Sequence, residues 1–234
     1  MAKSTEKAFD IVIVGTTGIL ITVCAFLFRE NVLVVIPLYV SLFVWFLQSK
    51  ANKYAFLLGG INSILYAAVD YFNGLYALAV YDIVVSCSLQ IITFINWSRH
   101  SYGKNSTIFK HLSPKQMIWT VSAGVAVWCG LFLILSIFQS GYLLFDNTLT
   151  LLGIASTVLC LLSYIEYTYL QRIIIIINLV MFAMMFTEKP IMITHFIFNI
   201  YAFICSTRSH VNMKKLYAEQ QSKKGGSENV SFGK

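Results

Sequence analysis

A chain of 234 residues in which 58% are hydrophobic and only 12% are charged lies outside the composition range of soluble globular proteins. Ten acidic residues and a mean hydropathy of +0.73 leave little material for a soluble domain and indicate an all-α polytopic membrane protein. The net charge of +7 is concentrated in loops and in the C-terminal tail, as expected beside an anionic leaflet, so we expect contact with the lipid bilayer and no nucleic-acid binding.

The five cysteines lie in five different apolar segments, and no two of them are close in sequence. Metal sites and disulfide frameworks use close, repeated cysteine spacings. The sequence also lacks a Gly-x-x-x-x-Gly-Lys motif, a paired acid and base, and a nucleophile motif at a useful spacing. We therefore expect no metal, no cofactor, no catalytic residues and no enzymatic activity.

Eight apolar segments have the length that a membrane-spanning helix needs, about 20 residues. These predicted helices 1 to 8 are residues 9–28, 32–48, 54–72, 75–97, 117–139, 148–167, 171–186 and 190–207. The first segment is too long for a signal peptide and lacks a small-residue cleavage site, so we expect it to be retained.

The basic residues indicate the orientation of these helices, because Lys and Arg accumulate in cytoplasmic loops. With eight helices, both termini lie on one side of the membrane. Fifteen of the 17 Lys and Arg then fall on the side of the termini, and only Arg29 and Lys189 fall on the other. The sequence predicts that both termini are cytoplasmic.

Predicted helix 4 carries one polar face. Its polar residues and its terminal tryptophan recur at helical spacing: Asp82, Ser86, Gln90, Thr93 and Trp97. An ionised Asp82 in contact with lipid would cost several kcal/mol. We therefore expect this face to line the interior of the helix bundle.

Predicted helix 3 repeats the arrangement. Asn62, Tyr66 and Asp70 lie at i, i+4 and i+8, and Gly59 lies one turn before them. A glycine at this position allows another backbone to come close. The two polar faces indicate that helices 3 and 4 contribute to one polar interior.

Predicted helices 7 and 8 carry isolated polar residues. Asn178 stands alone in the apolar run IIIIINLVMF, and His195 and Asn199 lie one turn apart. An amide in hydrocarbon either joins two helices or binds a ligand. His195 could carry a proton, but a lone histidine near a helix end is more often structural, so His195 is an outside candidate only and is not one of the predicted site residues.

A shift of 116 residues aligns predicted helices 2–4 with predicted helices 6–8. It pairs Asn62 with Asn178, Tyr66 with Phe182 and, after a one-residue slip, Asp82 with Asn199. Transporters built from parallel repeats bind their substrates between the repeats near the midplane. The predicted substrate-binding residues are Asn62, Tyr66, Asp82, Ser86, Gln90, Trp97, Asn178, Phe182 and Asn199.

The chain divides into five regions. An N-terminal helix and the first helix of repeat 1 occupy 1–53, and the core of repeat 1 occupies 54–97. A cytoplasmic loop and an inverting linker helix occupy 98–140, and repeat 2 occupies 141–208. The basic cytoplasmic tail, 209–234, ends in GGSENVSFGK, a composition typical of disorder.

The run GGINSILYAAVDYFNGLYALAVYDIVVSCSLQIITFINW resembles the signature of the bacterial nicotinamide riboside transporter family, the Pnu vitamin transporters. The resemblance continues in FDNTLTLLGIASTVL and covers residues 54–208. It implies a fold similar to the SWEET sugar transporters, with 3+1+3 parallel repeats and one extra N-terminal helix. The family's glutamine in helix 4 matches Gln90, its aromatic helix end matches Trp97, and its polar residue in helix 7 matches Asn178.

This resemblance implies uptake of nicotinamide riboside, a precursor of NAD, by facilitated diffusion with metabolic trapping. The location would be the bacterial plasma membrane, and the family resemblance is compatible with a homo-oligomer. One departure concerns the family's Trp-x-x-Trp-x-x-x-Asn pattern, because Gln171 and Ile174 stand at its tryptophan positions. A cationic ring gains about 1 to 2 kcal/mol over a desolvated aromatic face, so this change affects which ligand fits.

Two other functions remain open from the sequence. The first is transport of thiamine or a (deoxy)nucleoside by the same fold. The second is a non-transport membrane assembly protein, in which the polar residues only join helices. Alanine substitution separates the two classes, because variants of a joining residue lose expression, whereas variants of a binding residue stay folded and lose uptake.

The charge distribution predicts the topology directly. A reporter that is active only in the cytoplasm should work when fused after Lys104 or Lys224, and one that is active only outside should work after Gly74 or Gly141. Cytoplasmic reporter activity at Gly74 would contradict the predicted orientation.

Overall fold

The computed structural model describes residues 2–137 and 142–231, which form eight long helices. These are α1 Ala2–Leu27, α2 Val32–Ser49, α3 Tyr54–Phe72, α4 Tyr76–Arg99, α5 Pro114–Ile137, α6 Leu143–Leu161, α7 Tyr167–Glu188 and α8 Ile193–Ser231. Helix α4 is π-helical over Tyr81–Ser86, and a 3-10 turn, Pro190–Met192, precedes α8. The predicted all-helical fold is confirmed. Two predicted features, the end of helix 5 at Gln139 and the fusion point at Gly141, lie outside the described residues.

Helices α1 to α7 are each long and apolar enough to cross a membrane. Helix α8 runs beside α1, α2 and α7, and its first half carries the buried polar residues Thr194, His195 and Asn199. Because these side chains lie inside the protein, α8 is less apolar than the others and can still contact lipid through exposed residues such as Ile200 and Phe203.

Six of the helices form a closed ring. Within one bundle α2 packs on α3 and α3 on α4; within the other, α6 packs on α7 and α7 on α8. The bundles meet at two seams, α2 against α8 and α4 against α6. Helix α5 lies outside the ring against α6, and α1 lies outside it against α2 and α8. This is the predicted arrangement of two three-helix bundles, a linker helix and an extra N-terminal helix.

Helix α1 is tied to both bundles by charged groups. The buried carboxylate of Asp10 on α1 accepts a hydrogen bond from Arg208 of α8 at 2.6 Å and lies 2.7 Å from the ammonium of Lys50, just after α2. At the opposite end of α1, Thr194 of α8 donates a hydrogen bond to Glu30 at 3.0 Å. The N-terminal helix is therefore held to the ring at Asp10, about two turns after its start, and at Glu30, just after its last residue.

Between α6 and α7 the chain differs from the sequence prediction. Helix α6 ends at Leu161, and Ser163 has a positive φ of 62°, so the predicted helix 148–167 does not continue. The backbone of Lys110 pairs here with Ser163 and Ile165 at 2.9 and 3.0 Å. These hydrogen bonds stabilise the short connection between the two helices. Helix α7 then begins at Tyr167, earlier than the predicted residue 171.

The predicted disordered tail is also different. Helix α8 continues from the membrane segment to Ser231, and Met213 is 1% exposed. The side chain of Gln220 donates to the Thr107 carbonyl and accepts from the Phe109 amide, both at 2.9 Å. The tail thus contacts the second of the two short strands, Ser101–Tyr102 and Ser106–Thr107, and the loop that follows it, and residues 209–223 are helical.

Candidate functional site

A cavity of about 310 Å³ lies inside the ring, and all six ring helices line it. Its volume is at the lower end of the range for small-molecule pockets. Eight of the nine predicted site residues line this cavity: Asn62, Tyr66, Asp82, Ser86, Gln90, Asn178, Phe182 and Asn199. The structure thus brings together residues from both bundles, as the repeat pattern predicted.

Gln90 is held by a hydrogen-bond network between α3 and α4. Its amide nitrogen donates to Ser63 at 3.0 Å and to Ser86 at 2.8 Å. The two hydroxyls lie 2.7 Å apart, and Ser63 donates to the Gly59 carbonyl at 3.1 Å. Both amide hydrogens of Gln90 are therefore used inside the protein, and its carbonyl oxygen Oε1 remains as an acceptor.

Gly59 makes the position of this amide possible. A Cβ atom at residue 59 would lie 1.9 Å from Oε1 of Gln90, closer than two non-bonded atoms can approach. The sequence predicted the close approach of another backbone here, but a side-chain amide fills the space instead. At the next residue, Gly60, a Cβ atom would lie 3.4 Å from the Cys87 carbonyl, so α3 and α4 are also close at the backbone.

Asn62 is fixed by a similar chain of hydrogen bonds. Its amide nitrogen donates to Ser41 of α2 at 2.6 Å, and Ser41 donates to the hydroxyl of Tyr66 at 3.2 Å. The oxygen Oδ1 of Asn62 is buried and has no partner in the structure. Like Gln90, Asn62 has its donor occupied and its acceptor unused.

Acidic groups lie where α3 and α4 meet. The carboxyls of Asp70 and Asp82 hydrogen-bond to each other, and both line the cavity. Asp82 belongs to the π-helical segment, a widened turn that often occurs at functional sites. Nearby, Asp146 of α6 accepts hydrogen bonds from the Ala77 and Leu78 amides, where the positive end of the α4 dipole stabilises a carboxylate.

The second bundle contributes an aromatic wall and further amides. The rings of Phe182 and His195 stack with their centroids 5.0 Å apart and an interplanar angle of 26°. Asn199 donates to the His195 carbonyl at 2.8 Å. Gln171, at one of the family's tryptophan positions, donates to Gln48 of α2 at 3.5 Å, and its buried oxygen has no partner.

Trp97 does not line the cavity, contrary to the prediction. It is fully buried, with its ring edge-on to Phe56 at 4.6 Å and to Phe109 at 5.5 Å. Its indole nitrogen donates to the Cys160 carbonyl of α6 at 3.1 Å. Trp97 therefore packs α4 against α6 beyond the end of the cavity.

Several cavity residues were not among the predicted set. Asp70 lies on the polar face of α3 that the spacing revealed, and His195 is the outside candidate of the sequence analysis. Ser63 follows Asn62 directly and so does not belong to the i, i+4 series of Asn62, Tyr66 and Asp70. It contributes to the site by accepting a hydrogen bond from Gln90. Tyr81 and Thr157 give no sequence signal, because their 2.8 Å hydrogen bond joins α4 to α6 across 76 positions.

Comparison with known proteins agrees with this geometry. A model of the nicotinamide mononucleotide transporter family matches residues 31–209. The chain belongs to this family. The crystal structure of the vitamin B3 transporter PnuC is similar to this chain, with a TM-score of 0.77 and 19% identity over 91% of this chain and 93% of that chain. No curated protein sequence matches it.

Family membership confirms the resemblance read from the sequence. The matched range covers all six ring helices apart from the extension of α8 beyond residue 209, and it omits α1. This chain is therefore a multi-pass membrane transporter of a nicotinamide-related small molecule.

The contact between Gly59 and Gln90 gives a direct test of the cavity. Gly59→Ala should push the Gln90 amide away from Ser63 and Ser86 and lower substrate uptake at least tenfold, about the effect of one lost hydrogen bond. Uptake by cells with matched membrane levels measures this. The control is Gly130→Ala on α5, where the new Cβ meets nothing within 4 Å. Equal uptake by both variants would contradict a role for Gln90.

Proposed function

We propose that this chain carries nicotinamide riboside into the cell through the cavity between its two bundles. The observation that supports this most strongly is the charge of the side chains that line the cavity. Among the described residues that line it, none is Lys or Arg, and Asp70 and Asp82 are acidic. Burying a phosphate without a cationic partner costs several kcal/mol, so the cavity favours the nucleoside over the mononucleotide.

The unused hydrogen-bonding atoms also fit a nucleoside. Oε1 of Gln90, Oδ1 of Asn62 and Oε1 of Gln171 are acceptors whose amide nitrogens are already engaged. Ribose hydroxyls and a carboxamide NH₂ group are donors, and a buried acceptor strongly favours a ligand that supplies one. The positive charge of a pyridinium ring is balanced by the acidic pair.

Thiamine and deoxynucleosides are the competing substrates, because Gln171 and Ile174 replace the family's two tryptophans. Gln171 adds a polar acceptor at a position where a tryptophan would only stack, which favours a ligand with several hydroxyls. Thiamine carries a single hydroxyl and should bind more weakly. A thermal-shift panel of nicotinamide riboside, its mononucleotide, thiamine and deoxynucleosides would rank these ligands.

The proposed mechanism is facilitated diffusion. The two bundles rock about the central cavity, which opens first to the outside and then to the cytoplasm of a bacterial cell, where both termini lie. The sequence offers no ATP-binding motif. Accumulation then requires removal of free substrate inside the cell. A cytosolic kinase would provide this, since a phosphorylated product does not re-enter a cavity whose described lining residues include no Lys or Arg.

Substitution of the amides should separate binding from packing. Gln90→Ala and Asn178→Ala should each lower substrate affinity about tenfold or more while membrane levels stay near normal. Leu89→Ala is the matched control, because Leu89 adjoins Gln90 but does not line the cavity. Binding to purified protein measures the effect. Equal losses for Leu89→Ala and Gln90→Ala would indicate a packing role.

Transport without an ion gradient is the test of mechanism. In proteoliposomes preloaded with unlabelled nicotinamide riboside, labelled compound should enter by counterflow with no proton or sodium gradient. Asp82→Asn should retain this exchange, and nicotinamide mononucleotide should compete poorly. Accumulation in empty vesicles that is driven by a proton gradient and lost in Asp82→Asn would contradict facilitated diffusion and make Asp82 a coupling site.

A further inference from the structure

His195 is a buried side chain with one unused nitrogen in the cavity wall. It is 2% exposed, it lines the cavity, and its ring stacks on Phe182. Its Nε2 atom is buried and has no hydrogen-bond partner in the structure. Burying a polar atom without a partner is unfavourable, so this nitrogen lacks a group that a ligand could supply.

The other ring nitrogen determines what Nε2 can bind. Nδ1 lies 3.3 Å from the Thr194 hydroxyl, which donates to Oε1 of Glu30 at 3.0 Å. A hydroxyl has one hydrogen, and the hydrogen of Thr194 is donated to the carboxylate. The hydroxyl can therefore only accept a hydrogen bond from Nδ1. Nδ1 of the neutral imidazole therefore carries the hydrogen, and Nε2 is an acceptor.

Glu30 comes from outside the ring, in the connection between α1 and α2. Its side chain is 1% exposed, and Oε1 lies 3.8 Å from Nδ1 of His195. Burial raises the pKa of Glu30 to about 7, and the hydrogen bond from Thr194 partly opposes this increase. Above neutral pH Glu30 is ionised. It can then accept the hydrogen of the Thr194 hydroxyl, which leaves the hydroxyl oxygen to accept from Nδ1 of His195.

We propose that His195 is a ligand-binding residue that accepts a hydrogen bond through Nε2 from an N–H or O–H group of the substrate. Thr194 and Glu30 are positioning residues that hold the hydrogen on Nδ1. The proposal rests on the proposed function, in which the cavity holds a nucleoside. It also gives the N-terminal helix a part in substrate recognition, because the connection that follows α1 supplies Glu30.

His210 shows what a purely structural histidine looks like on the same helix. It is also buried, and its Nδ1 lies 2.7 Å from a threonine hydroxyl, that of Thr168. Its ring packs edge-on to Tyr169 at 4.4 Å, and it does not line the cavity. Unlike Nε2 of His195, neither of its ring nitrogens is buried without a partner. Of these two histidines, His195 is the one with an unused acceptor at the cavity.

A cycle of protein and ligand changes tests the contact. His195→Phe keeps a flat ring against Phe182 and removes the acceptor, so affinity for nicotinamide riboside should fall about tenfold at pH 8. Nicotinic acid riboside lacks the amide N–H, and deoxy analogues each lack one ribose hydroxyl. The loss of affinity on going from nicotinamide riboside to the analogue is measured in each protein. For one of these analogues, this loss should be about tenfold larger in wild type than in His195→Phe. That analogue identifies the donor.

The positioning residues have their own readout. In protein labelled with ¹⁵N-histidine, the four histidines give few signals, and His195→Phe identifies the one from residue 195. Wild type should show the neutral form with hydrogen on Nδ1. Thr194→Val keeps the shape, removes the hydroxyl and should populate both tautomers, with a several-fold loss of affinity. Thr194→Ser should restore both the tautomer and the affinity.

The outcomes distinguish this proposal from the proposed function. If wild type binds no nicotinamide riboside, the function is wrong. If wild type binds it, but His195→Phe retains every difference between the analogues, His195 is structural and the proposal fails. His210→Phe is the control and should retain all these differences. A wild-type signal with hydrogen on Nε2 would also overturn the proposal.

Discussion

The structure depends on one constraint: polar side chains inside a ring of membrane helices must find their partners within the protein, because hydrocarbon offers none. In α3 and α4 this requirement is met by Ser63, Ser86 and Gln90, whose hydrogens are all directed to protein oxygens. The atoms left over are acceptors. Their orientation towards the cavity follows from satisfying the donors first, and it gives the cavity a preference for ligands that donate.

The same constraint explains what could be predicted from the sequence. A polar residue in an apolar helix can face only the interior, so the spacing of Asp82, Ser86 and Gln90 was enough to place them at one cavity. The apolar lengths gave the helix number, and the repeat pattern placed Asn62 and Asn178 on opposite walls. The resemblance to the vitamin transporters added the arrangement of helices, which spacing alone does not provide.

Other features depend on contacts between distant parts of the chain. Trp97 lies on the predicted polar face, but Phe109 and the Cys160 carbonyl, both outside α4, enclose it in the core. The helical tail is held through Gln220, which bonds to a strand and a loop 113 and 111 positions earlier. His195 is only an outside candidate from the sequence, and Glu30, whose carboxylate lies 3.8 Å from its Nδ1, is 165 positions away. No local pattern encodes such pairs.

The two seams between the bundles are held by different interactions. At the α2–α8 seam, Asp10 bridges Lys50 and Arg208, and separation would leave a buried carboxylate without its partners, a costly change in a membrane protein. At the α4–α6 seam, neutral hydrogen bonds such as those of Tyr81 with Thr157 and Asn96 with the Leu161 carbonyl are each worth about 1 kcal/mol. The Asp146 carboxylate of α6 also accepts hydrogen bonds from two backbone amides of α4 at this seam. Each seam therefore includes a buried carboxylate, which is paired with side-chain cations at the α2–α8 seam and with backbone amides at the α4–α6 seam. The α4–α6 seam also contains the π-helical turn that carries Asp82, so any movement of the bundles at this seam takes place next to the acidic pair of the cavity.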